Sequence, residues 1–205
     1  MNKPFSQACE NNKQPILEVI SSYFKAGDRV LEIGSGTAQH ALYFCEQLPE
    51  LSWIPSEIPE NMETLKAGLA GEELSNLAPP ETLDVTQKNW PVSGLDGLFS
   101  ANCLHIMPAA FNVDFFRGAC EVLKQDAILC VYGPFKYQGE FTSESNAGFD
   151  LWLKERNPLS GIRNFETINQ LAIENGFELQ EDRAMPANNQ CLIWQKKSGV
   201  KFCKP

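Results

Sequence analysis

"VLEIGSGTAQH", residues Val30 to His40, decides how the rest of the chain is read. An apolar run ends in an acid, Glu32, followed by Ile33. Gly34 and Gly36 come next, one residue apart, and then a stretch with helical spacing. Ala38, Ala41, Leu42, Cys45 and Leu48 form the apolar stripe of that helix, and Pro49 closes it. This is a strand, a tight turn and a helix. Two glycines let the chain turn sharply and bring bare backbone against a ligand. The helix start offers N–H groups and a positive end to the same space. Such a turn suits a nucleotide-like molecule, although a strand–helix turn with no ligand uses the same glycines.

Strand-like and helix-like segments alternate on both sides of it. Upstream, Asn12 or Lys13 leads into Pro15, and Ile16, Leu17, Ile20 and Phe24 recur at helical spacing before Gly27. Downstream, "LSWIPSE" reads as a second strand made irregular near its end by Pro55. Residues 60–77 read as a helix with Met62, Leu65, Leu69 and Leu74 inward and Gly71 weakening it. "ETLDV" and "LDGLFSAN" are the third and fourth strands. Phe111, Phe115, Phe116, Ala119, Cys120 and Leu123 mark the next helix. "AILCVYG" is apolar throughout, as expected in a parallel sheet covered on both faces. A polar insertion, "PFKYQGEFTSESN", and a helix near 147–156 follow and are read as a lid. "FETINQLAIENG" is a helix with a glycine stop. "FELQEDRAM" and "NQCLIWQKK" are closing strands, the last antiparallel. The expectation is one α/β domain over residues 1–205, a doubly wound, mostly parallel seven-stranded sheet with a lid after its fifth strand.

Composition narrows the function. The 205 residues suit one domain, and 43% apolar content is ordinary for a globular protein. A net charge of −9 repels a phosphate backbone, so nucleic acid is not the expected partner. The seven cysteines form no C-x-x-C pair and several lie in apolar runs, which fits buried free thiols in a reducing cytoplasm. With two histidines, no zinc site is expected. "MNKPFSQACENNKQ" lacks a signal-peptide core, and no run nears the ~20 apolar residues of a membrane helix. No membrane association is expected, and oligomeric state is not readable.

Two kinds of glycine turn compete. A dinucleotide fingerprint, G-x-G-x-x-G, would need a third glycine where Gln39 stands. The acid Glu32, two residues before Gly34, makes this stretch resemble the E/D-x-G-x-G motif of class I S-adenosylmethionine-dependent methyltransferases. The resemblance implies a Rossmann-like methyltransferase fold with S-adenosyl-L-methionine as cofactor. Gly34, Ser35 and Gly36 would pass its methionine part, and Glu32 would help hold the ammonium group. Glu57, at the end of the second strand, would accept from the ribose hydroxyls. Asp84 and Val85, after the third strand, would meet the adenine. Asn102, after the fourth, would line the methionine. The N-terminal segment folds over the cofactor in this fold, which adds Asn12 and Lys13. The whole chain is similar to a methyltransferase-like family catalogued as a domain of unknown function. "ENNKQPILEV", "YGPFKYQGEFTSESNAGFDLWL" and "MPANNQCLIW" carry that closer likeness.

Methyl transfer from a sulfonium is an in-line displacement, so the protein mainly aligns the acceptor and excludes water. A base is needed only for an acceptor with a high pKa. No catalytic residue is fixed by the sequence: His105 and Tyr132 are candidates, and a histidine bonded to backbone and a tyrosine capping the core are the rival readings. Phe135, Asn146 and Asp150 are the substrate-side candidates. Rival readings of the same residues keep Asn146 and Asp150 as solvated polar groups and Asn12 and Lys13 as helix caps. The leading function is methyl transfer to a small-molecule acceptor. A cofactor-binding module without catalysis, or working through a protein partner, is the alternative. A nicotinamide-dependent oxidoreductase is disfavoured by Gln39. No nucleophile-elbow pattern supports a hydrolase.

Overall fold

The computed structural model describes residues 3–198. Cys203, counted above among the thiols, lies outside them. The order of elements is α1 (Gln7–Ile20), β1 (Arg29–Ile33), α2 (Gln39–Gln47), β2 (Ser52–Glu57), α3 (Met62–Leu69), β3 (Glu81–Thr82), β4 (Leu95–Ala101), α4 (Phe111–Val122) and β5 (Leu123–Gly133). Then come β6 (Phe135–Tyr137), β7 (Glu140–Phe141), α5 (Glu144–Arg156), β8 (Arg163–Asn164), α6 (Phe165–Glu174), β9 (Phe177–Met185) and β10 (Asn189–Lys196). Seven strands form one sheet in the order β3-β2-β1-β4-β5-β10-β9. It is parallel from β3 to β5, while β10 runs antiparallel to both of its neighbours. The chain winds outward from β1 to β3 and returns to pair β4 on the other side of β1. That reversal is a topological switch point at the carboxyl ends of β1 and β4, the place where open α/β sheets bind ligands.

The continuous apolar strands are explained by helices on both faces. Successive residues alternate between two cores. Val30, Phe99, Cys130 and Ile193 pack with Ile16, Ile20 and Phe44 of α1 and α2. Leu31, Leu98, Leu129 and Leu192 pack with Phe115, Phe116 and Ile168 of α4 and α6. No helix among the described residues is long and apolar enough to cross a membrane.

Several local expectations are corrected. α1 begins at Gln7 under a Ser6 cap, so Pro15 lies inside the helix and Asn12 and Lys13 are not caps. Pro55 does not disturb β2. Trp53 directs its backbone bonds toward Asn76 and Ala78, and Pro55 faces the same way, where no strand pairs with it. The helix expected over 60–77 is only α3 with a single 3₁₀ turn before it, and Gly71 follows in a left-handed conformation, φ +76°. The third strand shrinks to Glu81–Thr82. Phe111, expected inward, is about one-third exposed at the start of α4. The polar insertion is itself folded: β7, β6 and β8 make a small second sheet. The Asp150–Lys154 pair, with the i,i+4 spacing of a solvated pair, has a buried acid. Asp150 accepts from Lys154 Nζ (2.6 Å) and from the Ile162 amide (2.7 Å), tying α5 to the segment before β8.

Gly68 of α3 lies against the glycine turn. A Cβ built there would sit 2.3 Å from the Thr37 carbonyl oxygen. Gly148, within α5, faces open space. Replacement by alanine should therefore act with opposite sign at the two sites. Gly68→Ala should destabilise by about 1–3 kcal/mol through overpacking. Gly148→Ala should stabilise by roughly 0.5–1 kcal/mol through helix propensity. Urea unfolding midpoints measure both.

Candidate cofactor site

The site grows from the bend after β1. Gly34 (φ +75°) and Gly36 (φ +53°) are both left-handed. The Gly34 and Ser35 amides donate to the Ser56 carbonyl at 3.1 and 2.9 Å, which docks the bend on β2. A side chain on Gly34 would meet the Cys103 sulfur at 2.2 Å, so glycine lets the segment after β4 close on the bend. At Gly36 no atom beyond the adjoining residues lies within 4 Å of where a Cβ would stand. That open face is the cradle a ligand would need.

Two carboxyl groups serve this bend differently. Glu57 Oε2 accepts from the Gly36 amide and Oε1 from the Ile58 amide, each at 2.9 Å. Glu32 is buried behind the turn, 1% exposed. Its Oε2 accepts from Ser35 Oγ (2.9 Å) and Trp53 Nε1 (3.0 Å). Burial pushes the Glu32 pKa up to about 7 against the pull of the Trp53 and Ser35 donors, and Glu57 adds a smaller push. His40 Nδ1 stands 4.0 Å from Glu32 Oε1. Further along the carboxyl edge, the Asp84 Oδ1 accepts from the Thr86 amide and hydroxyl at 2.9 and 2.8 Å, while Val85 is buried in the core.

The next strand ends bring a second group together. Asn102 is left-handed (φ +61°) and donates its amide to the Tyr132 carbonyl. A Cβ on Gly133 would lie 3.4 Å from His105 Nδ1 and 3.7 Å from Asn102 Oδ1, so these side chains share one corner. His105 is buried, edge-on to Phe149 at 5.5 Å. Burial lowers its pKa to about 4, aided by Arg163. Its loop is tied down from outside. Arg163 donates to the Leu104, Met107 and Leu159 carbonyls, Ser160 Oγ to Ile106, and the Gly161 amide to the His105 carbonyl. Tyr132 is buried, and that burial raises its pKa to about 12, tempered by the Asn12 and Asn189 side chains.

Glu32, Ser35, Gly36 and Glu57 thus meet in one hydrogen-bonded turn, and Asn12 bonds His40, whose Nδ1 lies 4.0 Å from Glu32. Lys13 instead pairs with Glu10 and lies over the Tyr43 ring at 4.8 Å. Three substrate-side candidates do other work. Phe135 is 2% exposed and belongs to the core. Asn146 is neither solvated nor free: it donates to Thr142 Oγ1 and the Asn188 carbonyl. Asp150 braces the segment before β8. Sequence reasoning missed His40, Trp53 and Cys103 as neighbours of the turn. Only the rarity of histidine and the polar indole edge in an apolar strand hinted at the first two.

The α/β fold, with its mostly parallel seven-stranded sheet, matches that of methyltransferase structures. The chain belongs to the family described as "Protein of unknown function (DUF938)", whose profile matches residues 3–196. Among solved structures it is similar to an O-methyltransferase family protein from Burkholderia thailandensis, at TM-score 0.79 and 16% identity over 94% of this chain and 58% of that one. SibL, an S-adenosylmethionine-dependent methyltransferase solved in its apo form, matches at TM-score 0.77 and 19% identity, over 93% of this chain and 56% of that one. Human N-acetylserotonin methyltransferase, solved in complex with SAM, matches at TM-score 0.76 and 14% identity, over 94% and 53%. The chain spans little more than half the length of these structures.

A buried acid with a raised pKa gives a signed pH dependence. The fold favours protonated Glu32, and that advantage is complete below the unfolded value of 4.5 and lost as pH rises through about 7. The loss is on the order of 3 kcal/mol. His40, lowered to about 4 by burial, acts oppositely: its contribution is lost as pH falls from 6.5 toward 4, in wild type and variant alike. Glu32→Gln keeps an acceptor for Ser35 and Trp53 but cannot ionise. Its stability relative to wild type should rise between pH 5 and pH 8. Thermal unfolding midpoints at the two pH values check this, and a constant difference contradicts it.

Proposed function

We propose that this chain binds S-adenosyl-L-methionine and transfers its methyl group to a small-molecule acceptor. The observation that carries this reading is the open left-handed Gly36, whose amide is held by the Glu57 carboxylate at the topological switch. Glu57 keeps lone pairs for ribose hydroxyls, the bare backbone of Gly34 to Gly36 admits the methionine portion, and Glu32 supplies the acid for its ammonium end. Asp84 Oδ2, unused by Thr86, is a donor's partner for the adenine amine, with Val85 beneath the ring and Asn102 at the methionine side. Bound there, the sulfonium cofactor supplies a methyl group already activated for displacement. The protein's own task is alignment, exclusion of water and, for a hydroxyl acceptor, removal of a proton.

His105 fits that last task. It is neutral at physiological pH, it sits at the carboxyl edge of the sheet beside Asn102, and its loop is held by Arg163. Tyr132 fits less well, because a phenol with a pKa raised to about 12 is a poor base at neutral pH. The acidic balance supports an acceptor other than nucleic acid. The buried free thiols Cys45, Cys130 and Cys191 support a reducing, cytoplasmic setting.

Calorimetric titration with S-adenosylhomocysteine tests the reading, and absence of both heat and thermal stabilisation at millimolar ligand rejects it. Glu57→Ala should weaken binding at least tenfold, the scale of a lost charged hydrogen bond. Once an acceptor is in hand, His105→Gln should lower kcat/KM by roughly 10²–10⁴ while S-adenosylhomocysteine still binds. With the cofactor saturating, wild-type kcat/KM for the acceptor should fall as pH drops toward 4, where His105 protonates. An unchanged rate in the variant removes His105 from the chemistry.

A further inference from the structure

His40 is buried, 4% exposed, and no step in the proposed reaction uses it. Its Nε2 lies 2.6 Å from Asn12 Oδ1, itself buried on α1. An amide oxygen accepts only, so Nε2 carries the proton and Nδ1 presents a lone pair. Nδ1 faces Glu32 Oε1 at 4.0 Å, on the carboxyl oxygen that Ser35 and Trp53 leave alone. The ring is fixed by packing. It stacks on Phe44 (5.5 Å, 13°) and meets Phe99 edge-on at 5.9 Å. On the far side, the Asn12 amide approaches the Tyr132 hydroxyl. The charged groups acting on the pair are Lys13, which disfavours a charged His40, and Glu57, which disfavours a charged Glu32.

We propose that Asn12 and His40 form a buried positioning chain through which α1 sets the orientation of the Glu32 carboxyl for the ammonium end of the cofactor. This rests on the cofactor reading above. The two residues touch no ligand; they act through Glu32. The neutral His40 ring bounds the free Oε1 of Glu32 at 4.0 Å, beyond hydrogen-bond length, and when an ammonium group binds the carboxylate form the Glu32 proton is released to solvent. The chain therefore serves the amino-acid end of a ligand and not its nucleoside end. Cofactor recognition is then a joint property of β1 and α1, which the turn motif alone does not express.

Two probes separate those ends. S-adenosylhomocysteine carries the amino-acid group, whereas methylthioadenosine keeps the nucleoside and thioether without it. His40→Phe retains the ring stacking on Phe44 and removes both nitrogens. It should weaken S-adenosylhomocysteine roughly tenfold and leave methylthioadenosine within about twofold. In a double-mutant cycle it should add nothing to the loss caused by Glu32→Gln. Because His40→Phe leaves Asn12 Oδ1 without its donor, Asn12→Leu combined with His40→Phe is measured beside it and should show the same selective loss. Equal weakening of both probes, no weakening of either, or additivity with Glu32→Gln overturns the chain. Wild type binding methylthioadenosine but not S-adenosylhomocysteine overturns the role of Glu32. Wild type binding neither overturns the cofactor reading and this inference with it.

Discussion

The docking of the bend after β1 onto β2 is the constraint on which the site depends. The Ser56 carbonyl takes two amides of the bend, and Ser56 Oγ donates back to the Glu32 carbonyl. Ser35 Oγ closes the unit by accepting from the Ser56 amide and donating to Glu32. These bonds are buried, so losing one leaves an unsatisfied partner in a low-dielectric interior. They fix the left-handed Gly34 and Gly36, and through Gly36 they fix Glu57. A glycine turn free to move would have to be ordered by any ligand that bound it, at a cost in affinity.

Beneath the bend lies a cluster of rings. Trp53 contacts Phe24, Phe44 and Phe99 at centroid distances of 6.3, 5.3 and 5.8 Å, and His40 stacks on Phe44. Such pairs contribute about 0.5–1.5 kcal/mol each beyond area burial. The cluster also explains the chemistry above it. It excludes water from Glu32 and His40, and exclusion of water drives both groups toward their neutral forms. A hydrophobic floor thus sets the protonation state of the polar chain it carries. At the opposite corner, Arg163 and Ser160 act differently, by fixing backbone carbonyls of the loop that holds His105. One side of the site is tuned by packing and the other is held by hydrogen bonds from the segment between α5 and α6.

The strand–turn–helix unit, the alternation of elements and the acids at the strand ends were legible in the sequence because each is local. Apolar runs mark strands covered on both faces, and paired glycines mark a left-handed bend whatever lies around it. The backbone setting of Gly34, Gly36 and Glu57 follows from that local code. What the chain alone could not express was which polar residues face each other across elements. Asn12 reads as a cap because it precedes an apolar stripe, yet the helix starts earlier and turns it inward. Asp150 reads as one half of a surface pair because its spacing to Lys154 is helical, yet the segment before β8 covers it. Phe135 reads as a pocket wall because it leaves β5, yet the small second sheet folds it into the core. In each case sequence spacing specifies a neighbour along the helix or strand, while burial depends on what packs from elsewhere. The fold class was therefore written in the order of residues. The surroundings of Glu32, with Trp53 of β2 bonded to it and His40 of α2 beside it, backed by Asn12 of α1, were decided only when the sheet and its covering layers closed.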